Sequence, residues 1–178
     1  MISLVKQTDV TDCGAACAKS VLSYFQINQS LASIKMFHPF KIGYYSFSDL
    51  SQIFEKYNLE AVGYFSDFEN LMNFKNPIIA HVKLGGILPH FIVIKSLDND
   101  EITYMEPSQG CILKIKRKQF LNIWTGKILV VESGNATSSF RMNCPRFVLS
   151  YIINKRSALF FFFLFLTVLW VVLKIIVI

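Results

Sequence analysis

Apolar residues recur every three or four positions through the first part of the chain and then switch to a run-and-turn pattern. Ala16, Cys17, Val21, Leu22 and Phe25 share one face of a predicted helix over 13–25, with Thr11 or Asp12 as its cap. Helices are also predicted over 31–37 and 47–57, behind Ser30 and Ser46. Residues 59–65 alternate as a strand, and a short helix follows over 67–74. Four strands are then expected over 78–84, 90–97, 101–106 and 111–116. The polar stretches Asp98-Asn99-Asp100 and 107–110 form turns between them. A helix over 117–124 and a strand over 127–132 complete the pattern. Helices first and antiparallel strands later make an α+β domain rather than a βαβ repeat.

Beyond residue 134 the pattern changes. SGNATSS is a polar linker, and residues 140–156 are mixed apolar and basic. Residues 158–173 then read ALFFFFLFLTVLWVVL, where Thr167 is the one polar residue. A helix over 158–178 spans about one hydrocarbon core, with Lys174 near enough to its end to snorkel. The expected organisation is a domain over 1–134, a linker and basic juxtamembrane segment over 135–157, and a transmembrane helix over 158–178.

Composition supports this division. The 178 residues are 53% hydrophobic and 17% charged, with a formal net charge of +6, too apolar for a disordered chain or a simple nucleic-acid binder. Residues 1–134 hold 13 Lys+Arg against 12 Asp+Glu, whereas residues 135–178 hold 5 and none. The basic excess belongs to the apolar tail, so it reports membrane topology and not a nucleic-acid surface. Arg141, Arg146, Lys155 and Arg156 precede the span, and the positive-inside rule puts that flank in the cytoplasm. The N-terminus has no apolar stretch of signal-peptide type. The domain is therefore expected on the cytoplasmic side of the inner membrane, with its cysteines as thiols. No C-x-x-C pair occurs, and no metal or other cofactor is expected.

The chemistry concentrates at the first helix. Cys13 sits at its N-terminus, where free amides and the helix dipole favour a thiolate. Gly14 would let a substrate backbone approach, and the Gln7 amide could join the Cys13 N–H as an oxyanion hole. A base is needed, from among His38, His81 and His90. His90 opens the strand HFIVI, and Glu106 ends the next strand, so the two could meet across the hairpin. His81 reads as a satisfied core histidine and His38 as a surface residue. Cys17, Cys111 and Cys144 read as small core side chains.

QTDVTDCGAAC, HFIVI, EPSQG and QFLNIWTG, in this order and at these spacings, resemble the bacteriocin-processing cysteine peptidase domain of peptidase-containing ABC transporters. The resemblance covers about residues 5–132. It implies a papain-like α+β fold and cleavage of leader peptides after a Gly-Gly motif on the cytoplasmic face, coupled to export. It implies Cys13 as nucleophile, His90 as general base, Gln7 as oxyanion donor and Glu106 as the acid orienting His90. Glu106 falls where the family pattern has an Asp, one methylene shorter.

Its expected partners are a precursor peptide with a double-glycine leader, the membrane, and the membrane and ATPase parts of an ABC transporter, with no nucleic acid. No G-x-x-x-x-G-K-[ST] loop is present, so those parts lie in a longer chain or in separate subunits. Two other readings remain: a substrate-docking domain without effective catalysis, and a papain-like amidase on another substrate.

Overall fold

The computed structural model describes residues 1–134. The linker, the juxtamembrane segment, the expected span at 158–178 and Cys144 lie outside the described residues. Among the described residues no helix is long and apolar enough to cross a membrane.

The elements run α1 (Cys13–Tyr24), α2 (Leu31–Lys35), α3 (Phe47–Glu55), β1 (Leu59–Phe65), α4 (Phe68–Leu71), β2 (Ile78–Leu84), β3 (Leu88–Leu97), β4 (Glu101–Glu106), β5 (Cys111–Lys116), α5 (Arg117–Ile123) and β6 (Trp124–Ser133). The strands form one sheet in the order β1-β6-β2-β3-β4-β5, each pair antiparallel. The α+β expectation holds, with differences at several ends. α4 is shorter than expected, β3 begins two residues earlier, and β6 begins three residues earlier because Trp124 pairs with Val82 of β2.

Local chemistry accounts for most element ends. Ser30 Oγ accepts from the Ser33 N–H, and Ser46 with Asp49 forms a reciprocal capping box. α1 stops where Gln26 turns to φ +63°, with the Ile27 N–H closing on Leu22 O at 3.0 Å. Asp12 occupies the position ahead of α1 but makes no capping bond, contrary to the sequence reading. Its carboxylate is held elsewhere, by Lys35 and Thr8.

The sheet is covered on both faces, so its central strands read as continuous apolar runs rather than alternations. Ile79, Phe91, Val93, Met105, Leu129 and Val131 face the layer of α1, α2 and α3, against Cys17, Leu22, Ile53 and Phe54. Ala80, Val82, Ile92, Ile94, Ile128 and Val130 face the opposite side, against Phe68, Leu71 and Phe120. Each such buried large side chain stabilises the fold by about 1.5–3 kcal/mol. α1 lies on β3, which carries His90. That packing brings the head of the helix to the mouth of the hairpin.

Gly14 has a different reason from the one its position suggests. A Cβ on it would stand 2.6 Å from Tyr45 Cβ and 3.4 Å from Leu50 Cδ2. The missing side chain makes room for the α2–α3 connection and α3, not for a substrate backbone.

Candidate active site

Cys13 is the first residue of α1, and the chain ahead of it loops through Gln7. First-turn amides have no intrahelical acceptor, so their N–H groups favour negative charge at this end. His90 lies near the start of β3, and Glu106 is the last residue of β4. Val93 pairs with Met105. The same ladder continued sets Glu106 opposite Ile92, so His90 is its diagonal neighbour.

The three side chains meet. His90 Nε2 bonds to Glu106 Oε1 at 2.7 Å, and the Cys13 thiol stands near enough to the imidazole to raise its pKa. With Nε2 held by the acid, Nδ1 is the ring nitrogen left for the thiol. His90 and Glu106 are each 5% exposed and Cys13 has no exposed surface. A peptide carbonyl reaches the sulfur only when neighbouring groups move aside.

Burial opposes a charge on His90, but the bonds to Cys13 and Glu106, with their negative charges, outweigh it and raise its pKa to about 9. Burial likewise opposes a charge on Glu106; bonds from His90 and Ser108 overcome that and hold its carboxyl below the usual value. The Ser108 N–H donates to the same Oε1 at 2.9 Å. The extra methylene of Glu over Asp is thus accommodated inside the 107–110 turn. Ser108 escaped the sequence reading, although a Ser two residues after an acid in a turn is a legible sign.

Gln7 is joined to this turn, its N–H donating to Pro107 O at 2.8 Å. Its side-chain Nε2 donates to Asp9 O at 2.9 Å and makes a longer contact of 3.4 Å to Val10 O. Among the described residues its Oε1 is buried with no hydrogen-bond partner.

The other candidates are set apart. His81 Nδ1 bonds Thr125 Oγ1 at 2.9 Å between the rings of Phe47 and Phe91. Burial, then the charges of Lys127, Lys83 and His90, lower its pKa to about 4, so it stays neutral in a structural role. His38 is half-buried rather than on the surface, its Nε2 3.2 Å from Asp49 O and its ring against Tyr45. Cys17 is fully buried, and burial followed by the charges of Cys13 and Glu106 pushes its thiol up. Cys111 is half-buried at the start of edge strand β5, not a core residue. Among the described residues no group of three or more His, Cys, Asp or Glu could hold a metal ion.

A thiol at a helix head, an imidazole with a raised pKa and a buried carboxylate behind it lie together at this corner of the fold. The chain belongs to the peptidase C39 family, whose model matches residues 1–136. It is 30% identical over 131 residues to the sublancin-168-processing and transport ATP-binding protein SunT of Bacillus subtilis, covering 71% of this chain and 18% of SunT. It is 29% identical over 126 residues to the transport/processing ATP-binding protein ComA of Streptococcus pneumoniae, covering 69% of this chain and 18% of ComA. The chain thus spans under a fifth of the length of these relatives.

Two solved structures share the fold. The peptidase domain of Streptococcus ComA superposes with a TM-score of 0.66 at 23% identity, covering 74% of this chain and 98% of that one. A double glycine motif protease from an AMS/PCAT transporter, solved with its leader peptide, gives 0.66 at 24% identity, covering 75% and 92%.

Proposed function

We propose that this chain is a cysteine peptidase that removes leader peptides after a Gly-Gly motif from small secreted precursors, working with an ABC-type exporter. The observation that carries the reading is the buried Cys13, His90 and Glu106 constellation, with 2.7 Å between His90 Nε2 and Glu106 Oε1. Family membership supports the peptidase chemistry. The processing and transport relatives support the substrate class and the exporter.

In this reading His90, as general base, takes the Cys13 proton. The sulfur attacks the carbonyl carbon of the second glycine, and the carbonyl oxygen takes the negative charge. The Cys13 N–H donates to that oxyanion, joined by the Gln7 Nε2–H that leaves its long contact to Val10 O. The C–N bond breaks as His90 gives its proton to the departing amine. Water, deprotonated by His90, then attacks the thioester, releasing the leader acid and returning the proton. Glu106 orients the ring and stabilises its charge throughout. Glycines at the cut suit a nucleophile with no exposed surface, because any side chain there adds bulk at the crowded entrance.

We also assign residues 1–134 to the peptidase domain, 135–157 to a linker and basic juxtamembrane segment, and 158–178 to a membrane span. The domain stands on the cytoplasmic side, as the charge of the flank directs. The fold is of the papain-like class.

The test incubates the full 178-residue chain, in detergent micelles, with a precursor bearing a double-glycine leader, followed by mass analysis. A cut after the second glycine that vanishes in Cys13→Ala supports the reading. Cleavage undiminished by Cys13→Ala overturns it.

A further inference from the structure

Asp12 stands at the head of α1, where a carboxylate ordinarily bonds a first-turn amide. It makes no such bond. Its Oδ2 instead accepts the Thr8 hydroxyl at 2.5 Å and the Lys35 ammonium at 2.6 Å, and Lys35 Nζ also lies 3.3 Å from Thr8 Oγ1. Asp12 is 4% exposed, so the charge is buried and compensated by two specific partners.

The positions of these partners carry the meaning. Thr8 follows Gln7, and Asp12 precedes Cys13. One hydrogen bond therefore closes the loop between the residues assigned as oxyanion donors. Further bonds tighten the loop inside that closure. The Asp12 N–H donates to Asp9 O at 3.1 Å, the Val10 N–H to Asp9 Oδ1 at 2.6 Å, and Gln7 Nε2 to Asp9 O at 2.9 Å. Lys35 anchors the closure to α2 and cancels a negative charge that would otherwise oppose the thiolate and the oxyanion.

We propose that Thr8, Asp12 and Lys35 form a latch that sets the separation of the Gln7 amide from the Cys13 N–H, making all three positioning residues for the oxyanion hole. The inference rests on the assignment of Gln7 and Cys13 made above. Such a latch acts on the transition state, because its product is the placement of donors around a charge absent from the bound substrate.

The experiment uses the full chain in detergent micelles and a leader-length peptide ending in Gly-Gly-aminomethylcoumarin. Thr8→Val and Asp12→Ala are expected to lower kcat by about 10- to 100-fold with KM changed less than about twofold. Both should weaken inhibition by the same peptide ending in glycinal, which forms a tetrahedral adduct on the thiol, by a matching factor. Thr8→Ser and Asp12→Asn retain a donor and an acceptor and should stay near wild type. Lys35→Met should lower kcat, and adding Asp12→Asn should restore it.

Wild-type kcat in Thr8→Val, or a loss confined to KM, overturns the latch. Equal loss in Thr8→Ser and Thr8→Val also overturns it. Should Asp12→Ala fail to fold, the Thr8 pair decides, since Thr8 lies on the surface. A wild-type chain that does not cleave, or a Cys13→Ala chain that does, ends the parent reading and the latch with it. Normal Cys13-dependent cleavage with a neutral Thr8→Val ends the latch alone.

Discussion

The Gln7 N–H donates to the Pro107 carbonyl across 2.8 Å, joining the segment ahead of the nucleophile to the turn behind the acid. Two stretches a hundred residues apart in sequence thereby share one rigid corner. The turn ends at Gly110 with φ +68°, and a Cβ there would lie 2.8 Å from Lys6 Cβ and 3.1 Å from Lys6 Cα. Gly110→Ala meets both a left-handed backbone and a collision with the N-terminal segment, together costing about 1–3 kcal/mol. Thermal unfolding is expected to move down by several degrees, and peptide cleavage to slow because Gln7 is displaced. Wild-type values for both would show that the corner is dispensable.

His90 makes the pH dependence specific. Its pKa is raised to about 9, so the imidazolium persists through neutral pH. The alkaline limb of kcat/KM is expected near that value. Glu106→Gln removes the charge and weakens the bond, and should draw the limb down toward 6.5, the ordinary imidazole value. A raised folded-state pKa stabilises the fold fully below the unfolded value. That contribution fades as pH rises through the folded one. The melting temperature of the wild type should therefore carry a decline between about pH 6.5 and 9 that is shallower in Glu106→Gln, where Cys13 alone still raises the ring. Kinetic and thermal profiles of the two proteins check both statements.

The two thiols of α1 should behave oppositely. Both are buried, but Cys13 stands beside His90, whereas Cys17 has its thiol pushed up, first by burial. Cys13→Ala is expected to abolish cleavage while the circular dichroism stays native. Cys17→Ala should leave cleavage intact at a stability cost of about 1 kcal/mol for the small cavity. A Cys17→Ala chain that has lost activity while remaining folded would contradict this division.

The WTG segment has a structural explanation that can be measured. The β2–β6 register shifts between Ala80 and Val82. There the Thr125 hydroxyl donates to His81 O at 2.9 Å and accepts from the His81 Nδ1–H at 2.9 Å. Thr125→Val leaves both groups of His81 unpaired and is expected to cost about 1–3 kcal/mol in urea unfolding. Thr125→Ser retains the hydroxyl and should lose less. Equal losses would mean that the hydroxyl does not hold the irregularity.

Much of this was legible along the chain. Patterning located the described helices and strands, because a buried helix face imposes a 3.6-residue repeat and a strand covered on both faces reads as an apolar run bounded by turns. The hairpin turns declared themselves through Asp98-Asn99-Asp100 and 107–110, and strand ends two residues apart in register brought His90 near Glu106. What escaped was decided by partners distant in sequence. Trp124 belongs to β6 because Val82 offers it a ladder position, and local propensity around Trp124 holds no record of Val82. Ser108 was passed over because its role depends on where the Glu106 carboxylate settles.

The sequence by itself determined the α+β class, the order of the elements and a cysteine at the head of a helix, since these depend on near neighbours and on hydrophobic patterning. The tertiary structure alone decided what fills the space over Gly14, which partners take the Asp12 carboxylate, and that His90 rather than His38 or His81 reaches Cys13. Those outcomes depend on how α1 lies on β3 and how the N-terminal segment docks on the 107–110 turn. Long-range packing sets them, because a polar group is held by whichever partner reaches it when the core closes.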